Sequence, residues 1–314
     1  MNQNRTNISK LSTDQIIKMI SERFAAELPE PTYTETKMEE LWIELSDGVK
    51  LFAYVCMPAA EGAWPVILVR NPYQANDQSD LIMAGLQGKP FAQQGYAFVF
   101  SRVRGTGRSQ GEFDPFVNER RDGIDVIDWI SKQSWCNGKI GTFGGSYLGH
   151  VQWCVAGSGH PALITSFISV YGINAYHLFY RRGMFRQDIW TEWAAQMMGA
   201  NRHGCEHIAE AVKRGFEVFP QIELGKQLTG EDCKWYNEWV TNTSEDDPYW
   251  SEGFWCELKD SLKDIHIPLF LHGGWYDVFI RSQLESWRAL PKETRGKSRF
   301  EIGPWHHGGT PSGD

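Results

Sequence analysis

The sequence predicts an α/β protein with a mostly parallel sheet that is covered by helices on both faces. Short apolar runs such as Pro65–Val69 and Tyr96–Phe100 are typical of strands buried on both faces. Helical segments alternate with these runs, and Asn118–Lys132 carries isoleucines along one side. The composition agrees, because 41% of the 314 residues are hydrophobic and 22% are charged, as in ordinary globular proteins.

The other elements follow in chain order. Residues 1–36 are predicted to form a polar leader with one amphipathic helix, Thr13–Leu28. Leu41–Leu45 and Leu51–Cys56 alternate in polarity around Asp47-Gly48, which predicts a β-hairpin. A helix is expected over Ala84–Gln94. The remaining strand candidates are Lys139–Phe143, Leu163–Val170, Pro268–His272 and Arg299–Ile302.

The alternation of strand and helix stops between Gly172 and Asp264. This stretch has helical tendency and holds six of the 14 tryptophans, namely Trp190, Trp193, Trp235, Trp239, Trp250 and Trp255. We therefore predict a helical cap inserted between two strands of the main sheet. The predicted organisation is a leader (1–36), the first part of the core (37–171), the cap (172–264) and the second part of the core (265–314).

Charge and composition narrow the classes of partner and compartment. The formal net charge is −8, and no basic run interleaved with aromatic residues is present, so no nucleic-acid partner is expected. No apolar stretch approaches the length of a membrane span, and the N-terminus lacks the pattern of a secretory signal. The six cysteines are scattered without paired spacing, as in proteins of a reducing compartment. A cytoplasmic location is the prediction.

The segment Lys139–His150 contains the most informative motif in the chain. A predicted strand runs into Gly144-Gly145, then Ser146, and then a helical run that begins at Tyr147. This pattern is typical of a nucleophile elbow, in which a strained strand-to-helix turn exposes a serine at the sheet edge. The strict G-x-S-x-G pattern is not met, since the second glycine comes three residues after the serine. An ordinary Gly-Ser turn is the alternative.

A nucleophilic serine needs a base and a residue that orients the base, and two later segments offer them. Asp277 and His307 each follow a predicted parallel strand, in the chain order serine, acid, histidine. Taken alone, Asp277 could be a turn former and His307 a surface histidine. All three residues are nevertheless expected at the carboxyl edge of one sheet, where such sheets place their sites.

The sequence resembles the cocaine esterase and X-prolyl dipeptidyl-peptidase family of serine hydrolases. The matching segments run in family order from residue 40 to 307, and they are Arg70-Asn-Pro-Tyr73, Arg104-Gly-Thr-Gly-Arg-Ser-Gln-Gly-Glu-Phe113, Gly144-Gly-Ser-Tyr-Leu-Gly149, Gly274-Trp-Tyr-Asp277 and Gly303-Pro-Trp-His-His307. The resemblance implies an α/β-hydrolase fold with a helical cap. It also implies Ser146 as nucleophile, Asp277 as acid and His307 as base, with His306 as a neighbour.

The resemblance further implies an oxyanion hole made by the Tyr73 hydroxyl and the amide of Tyr147. The residues themselves agree, because no Gly-rich segment follows the strand that ends at Arg70, and Pro72 has no N–H to donate. The alternative is that Tyr73 is merely an aromatic residue in a turn.

Two other patterns are interpreted as structural. The glycines of Gly105-Thr-Gly107 and Gly111 do not have the spacing of a dinucleotide-binding loop, and they match a loop of the family instead. His203 and His207 lie four residues apart, but no H-E-x-x-H pattern or third ligand supports zinc. No metal and no organic cofactor are expected.

The expected activity is cleavage of a carboxylic ester or amide in a small molecule, through an acyl-enzyme intermediate. Phe279 follows the predicted acid in an apolar stretch, which resembles the cocaine esterase type, and with Trp190 and Trp193 it would suit an apolar or aromatic acyl group. The two tryptophans could equally be cap core. A dipeptidyl aminopeptidase is the second hypothesis, with Glu192 or Glu231 as partner of a substrate ammonium. A non-catalytic binding protein is the third.

Length raises one further expectation from the resemblance. Relatives in this family continue with a β-sandwich of jelly-roll type, whereas this sequence ends seven residues after His307. The expectation is therefore either a piece of a longer protein or a minimal form that closes its site in another way, such as by forming a homo-oligomer.

Overall fold

An eight-stranded sheet organises the residues described by the computed structural model, which are 29–73, 77–203 and 208–308. The strands are β1 (Thr36–Glu44), β2 (Lys50–Pro58), β3 (Trp64–Asn71), β4 (Ala97–Arg102), β5 (Cys136–Gly145), β6 (Leu163–Ser169), β9 (Leu269–Gly274) and β10 (Arg299–Gly303). Their order in the sheet is β1-β2-β4-β3-β5-β6-β9-β10. The pairs β1–β2 and β2–β4 are antiparallel, and the other pairs in this sheet are parallel. The predicted mostly parallel sheet is confirmed.

Helices cover both faces of this sheet. They are α1 (Asp77–Gln93), α2 (Glu119–Ser131), α3 (Tyr147–Ala156), α11 (Ile280–Ala289) and α12 (Lys292–Gly296). Alternate residues of β2 point into different cores, since Phe52 packs with the core under α1 and Val55 with the core under α2. The central strands are therefore apolar on both sides, which explains why they appear in the sequence as continuous apolar runs.

The predicted hairpin at Asp47-Gly48 is confirmed. β1 and β2 pair in register from Thr36 opposite Pro58 to Glu44 opposite Lys50. Gly48 adopts a φ of 84°, a left-handed conformation that glycine reaches without strain. The hairpin places β2 beside β4, so it closes one edge of the sheet far from the edge formed by β9 and β10.

One helix is longer than the sequence predicts. Helix α1 begins at Asp77, seven residues before the predicted start at Ala84. Its first turns carry polar residues, which are typical of a loop, but Asp80 is buried there and pairs with Arg102 of β4. That contact depends on the tertiary structure. The predicted helix Thr13–Leu28 lies outside the described residues.

The segment between β6 and β9 is mainly helical, as expected. Its helices are α4 (Ala175–Phe179), α5 (Gln187–His203), α6 (Ile208–Gly215), α7 (Leu224–Thr229), α8 (Lys234–Thr241), α9 (Pro248–Ser251) and α10 (Gly253–Asp260), with 3₁₀ turns at Gln221–Glu223 and Ser261–Asp264. A hairpin of two-residue strands, β7 (Tyr180–Arg181) and β8 (Met184–Phe185), was not predicted, because strands this short leave no alternating pattern. The boundaries at 172 and 264 remain a prediction.

Aromatic side chains form much of the core of this helical segment. Phe179 stacks on Trp190 with ring centroids 4.0 Å apart, and it also contacts Trp239 and Trp250. These three tryptophans are almost fully buried, so the tryptophan excess is partly a packing feature of the segment. No helix in the described part of the chain has both the length and the apolar character needed to cross a bilayer.

Candidate active site

Ser146 occupies a strained turn between β5 and α3. Its φ of 59° and ψ of −127° are unusual for a residue with a side chain, and they turn the chain sharply from strand into helix. Gly144 makes this turn sterically feasible, because a Cβ there would lie 2.5 Å from the Cβ of Leu148. The geometry is that of a nucleophile elbow.

Asp277 and His307 lie in the loops after β9 and β10, two neighbouring parallel strands. The amide of Trp275 donates to the carbonyl of Gly303 at 2.9 Å, which ties one loop to the other. Both loops therefore lie at the carboxyl edge of the sheet, near the end of β5, where the sequence predicted them to meet.

The three side chains form one hydrogen-bonded row. Ser146 Oγ lies 2.8 Å from His307 Nε2, and His307 Nδ1 lies 2.7 Å from Asp277 Oδ2. The other oxygen of Asp277 accepts the amide of Phe279 at 2.7 Å, and this carboxylate is buried. A buried, anchored carboxylate holds the imidazole ring with Nε2 towards the serine, as a general base requires. The neighbouring His306 is exposed and caps the amide of Gly308 instead.

Two hydrogen-bond donors are placed beside the serine. The hydroxyl of Tyr73 lies 3.1 Å from Ser146 Oγ, and the amide of Tyr147 lies 3.4 Å from the hydroxyl oxygen of Tyr73. Desolvation raises the pKa of Tyr73, so its hydroxyl stays protonated at neutral pH and remains a donor. These are the two groups that the resemblance assigned to an oxyanion hole.

A cavity of about 890 Å³ opens in front of these groups. Its walls come from the carboxyl edge of the sheet and from α5, the helix that lies over that edge. They are mostly apolar and aromatic, with a few polar groups, as in sites for small organic molecules. The lining includes Tyr73, Gln87, Phe116, Ser146, Tyr171, Asp188, Trp190, Glu192, Trp193, Phe279 and His307.

The three predicted pocket residues all line this cavity, yet they also belong to the core. Trp190 is 3% exposed and donates its indole N–H to the carbonyl of Leu178, and Phe279 is 4% exposed. Trp193 is less buried and stacks parallel to Tyr147, with centroids 5.8 Å apart. The structure therefore supports both alternatives for the tryptophans, since both side chains pack against other aromatic rings and also line the cavity.

Of the two carboxylates proposed from sequence for an ammonium group, Glu192 lines the cavity. Glu231 is exposed and is not part of the cavity wall. Asp188, one turn before Glu192 on α5, also lines the wall and was not predicted. The sequence could have indicated Asp188 together with Glu192, because residues four apart on a helix share a face.

Sequence reasoning missed two further features near the serine. Phe116 lines the cavity with a φ of 75°, which a phenylalanine rarely adopts and which no pattern in the sequence indicates. Arg70 and Glu119 form a buried ion pair behind Tyr147. Arg70 was singled out only as part of a motif, and the partner, 49 residues away, had no sequence signal.

Among the described residues, no group of three or more His, Cys, Asp or Glu side chains is arranged to hold a metal ion. This statement does not extend to the pair His203 and His207, because His207 and the side chain of His203 lie outside the described residues.

Comparison with known proteins identifies a family of hydrolases. The sequence profile described as X-Pro dipeptidyl-peptidase (S15 family) matches residues 47–309. The cocaine esterase of Rhodococcus sp. (strain MB1 Bresler) is 29% identical over an alignment of 286 residues that covers 84% of this chain and 48% of the esterase. An aminopeptidase structure from the marine sediment archaeon Thaumarchaeota archaeon superposes with a TM-score of 0.71 at 20% identity, covering 90% of this chain and 51% of that one. An α-amino acid ester hydrolase structure gives 0.66 at 21% identity, covering 98% and 52%.

The fold is that of an α/β hydrolase, with the serine turn and the two loops at the expected edge of the sheet. The chain belongs to the X-Pro dipeptidyl-peptidase (S15) family, a family of hydrolases. The resemblance drawn from the sequence motifs is thereby confirmed. The chain spans about half the length of the cocaine esterase it matches.

Proposed function

We propose that this chain carries the active site of a serine hydrolase, which cleaves a carboxylic ester or amide through an acyl-enzyme intermediate. The observation that carries the proposal is the row Asp277–His307–Ser146, with contacts of 2.7 and 2.8 Å. Such a row converts a weakly acidic hydroxyl into a nucleophile, because the imidazole accepts its proton as the new bond forms.

The reaction would proceed in two halves. His307 takes the proton of Ser146 as the oxygen attacks the carbonyl carbon, and Tyr73 and the Tyr147 amide stabilise the negative oxygen. His307 then gives that proton to the leaving group, which departs and leaves the acyl-enzyme. In the second half His307 activates a water molecule, and Asp277 keeps the imidazole in the correct orientation throughout.

An apolar or aromatic acyl group suits the cavity best. Phe279 lies edge-on to His307, with ring centroids 5.2 Å apart, and Trp190 lies 5.9 Å behind Phe279. An acyl group attached to Ser146 would therefore face aromatic carbon rather than water, which favours substrates with a hydrophobic acid part.

The decisive experiment combines covalent labelling with one substitution. We expect a fluorophosphonate probe to label the wild type, and Ser146→Ala to abolish labelling and to lower p-nitrophenyl ester hydrolysis by about 10⁶-fold. Ser158→Ala, in the loop after α3, is the matched control and should label like the wild type. Turnover that survives in Ser146→Ala, in a protein with an unchanged circular dichroism spectrum, would refute the proposal.

A dipeptidyl aminopeptidase is the second candidate, favoured by the carboxylates of Asp188 and Glu192 in the cavity wall. A substrate with a free α-amino group would place an ammonium near them, and a carboxylate is its natural partner. The peptidase hypothesis expects faster turnover of an X-Pro p-nitroanilide than of a p-nitrophenyl ester.

The same hypothesis expects Glu192→Gln to raise KM for the anilide alone. Glu231→Gln is the matched control, because that carboxylate is not part of the cavity wall. An ester preference that Glu192→Gln leaves unchanged would favour the esterase over the peptidase.

A further inference from the structure

A buried ion pair joins the end of the strand before Tyr73 to the start of α2. Arg70 stands near the end of β3, three residues before Tyr73, and Glu119 is the first residue of α2. Arg70 Nη2 donates to Glu119 Oε2 at 2.7 Å and Nη1 donates to the Glu119 carbonyl at 2.9 Å. Both side chains are at most 5% exposed. Gly123 leaves the space for this contact, because a Cβ there would lie 2.7 Å from Arg70 Nη1.

The second oxygen of the Glu119 carboxylate holds Tyr147. The Tyr147 hydroxyl donates to Glu119 Oε1 at 2.8 Å, and the same hydroxyl accepts the amide of Phe116 at 2.8 Å. On its ring face Tyr147 stacks on Trp193, with an interplanar angle of 6°. The Tyr147 side chain is therefore fixed by its polar end and by its ring, and it is 2% exposed.

Tyr147 follows directly on the strained Ser146. A residue in such a backbone conformation is strained and persists only where the surroundings hold it. The direction of the Tyr147 amide depends on the same turn, so a side chain anchored at its far end limits how that amide can rotate. Oxyanion stabilisation depends on donors that already point at the site before charge develops.

We propose that Glu119 is a positioning residue, which holds the Tyr147 amide in the orientation that binds the oxyanion. The inference rests on the proposed function. A buried ion pair is in itself weak evidence for stability, because apolar residues of similar volume often serve as well. This pair differs because the Glu119 oxygen that does not bind Arg70 accepts a hydrogen bond from Tyr147, the residue that follows the nucleophile.

Asp122 provides a matched control on the same helix. It lies one turn after Glu119, is 1% exposed, and has both carboxylate oxygens bonded to Arg104 at 2.8 Å. Arg104–Asp122 is thus a second arginine–carboxylate pair with a buried acid. Both oxygens of Asp122 bind Arg104, whereas one oxygen of Glu119 binds Tyr147. Substitution of either acid should lower the stability, whereas only that of Glu119 should lower the catalytic rate.

The test compares Glu119→Gln with Asp122→Asn below the Tm of both variants. We expect Glu119→Gln to lower kcat for a p-nitrophenyl ester about tenfold, with KM within twofold, since a misdirected donor costs part of what a deleted one costs. Its affinity for a boronic acid, which forms a tetrahedral adduct on the serine, should fall by a similar factor. Asp122→Asn should keep kcat within twofold. Equal kcat losses in both variants, or none in Glu119→Gln, would overturn the inference.

A second variant covers the case in which Glu119→Gln does not fold. Tyr147→Phe removes only the hydroxyl that Glu119 binds, and it should also lower kcat several-fold with KM unchanged; an unchanged kcat would overturn the inference.

Failure of the positioning role of Glu119 is distinguishable from failure of the proposed function. If the wild type does not react with a fluorophosphonate, the function itself is wrong, whereas a labelled wild type with a fully active Glu119→Gln removes only the positioning role.

Discussion

Tyr73 is held at its backbone while its hydroxyl reaches Ser146. Its amide donates to Asn71 Oδ1 at 3.0 Å, and its carbonyl accepts Asn71 Nδ2 at 3.1 Å and also Nη1 of the buried Arg102. The main chain of Tyr73 is therefore fully hydrogen-bonded, although the residue itself lies outside any strand or helix. A donor on a fixed backbone costs little to reorganise when charge develops, which is the requirement for an oxyanion hole.

Removal of the Tyr73 hydroxyl should lower the rate without changing substrate binding. We expect Tyr73→Phe to reduce kcat about 100-fold, the usual effect of losing one oxyanion donor, with KM nearly unchanged. Steady-state kinetics on a p-nitrophenyl ester measures both constants. Tyr180→Phe is the control, because that hydroxyl is also buried but donates to the carbonyl of Trp239 on α8. A Tyr73→Phe enzyme with wild-type kcat would exclude the hydroxyl from the oxyanion hole.

Elements differ in how much of their position the sequence reveals. Strands β3 to β5 were predicted within a few residues, because strands buried on both faces leave continuous apolar runs. Helix α1 was predicted too short, since the polar start of the helix depends on the Asp80–Arg102 pair. The turn after β5 was predicted from its glycines. They are required by contacts within a few residues along the chain, such as the close approach of Gly144 to Leu148.

At the scale of the whole molecule, a buried histidine links stability to pH. His150 on α3 is fully buried between aromatic rings, among them Phe116 at 4.9 Å and Tyr171 at 5.5 Å. Burial lowers the pKa of His150 to about 3. The imidazole is thus neutral in the folded state, whereas in the unfolded chain it gains a proton near its ordinary pKa of about 6.5.

The unfolded state therefore binds more protons than the folded state between about pH 6.5 and pH 3, and stability is lost as the pH falls through that range. From pH 7.5 to 5.0 this single group should lower the free energy of unfolding by about 2 kcal/mol. Denaturant unfolding at the two pH values measures the loss. His150→Gln, which cannot gain the proton, should lose correspondingly less, and an identical loss in both proteins would assign the pH dependence to other groups.

By itself, the sequence determined the fold class and the family, and it predicted Ser146, Asp277 and His307 for the candidate site. Those properties depend on patterns within short segments: apolar runs, a glycine–serine turn, and polar residues just after strands. Only the tertiary structure decided that Glu192 rather than Glu231 lines the cavity, and that Glu119 holds Tyr147. Contacts of this kind join residues far apart in the chain, and their geometry depends on how helices pack on the sheet, which no local pattern encodes.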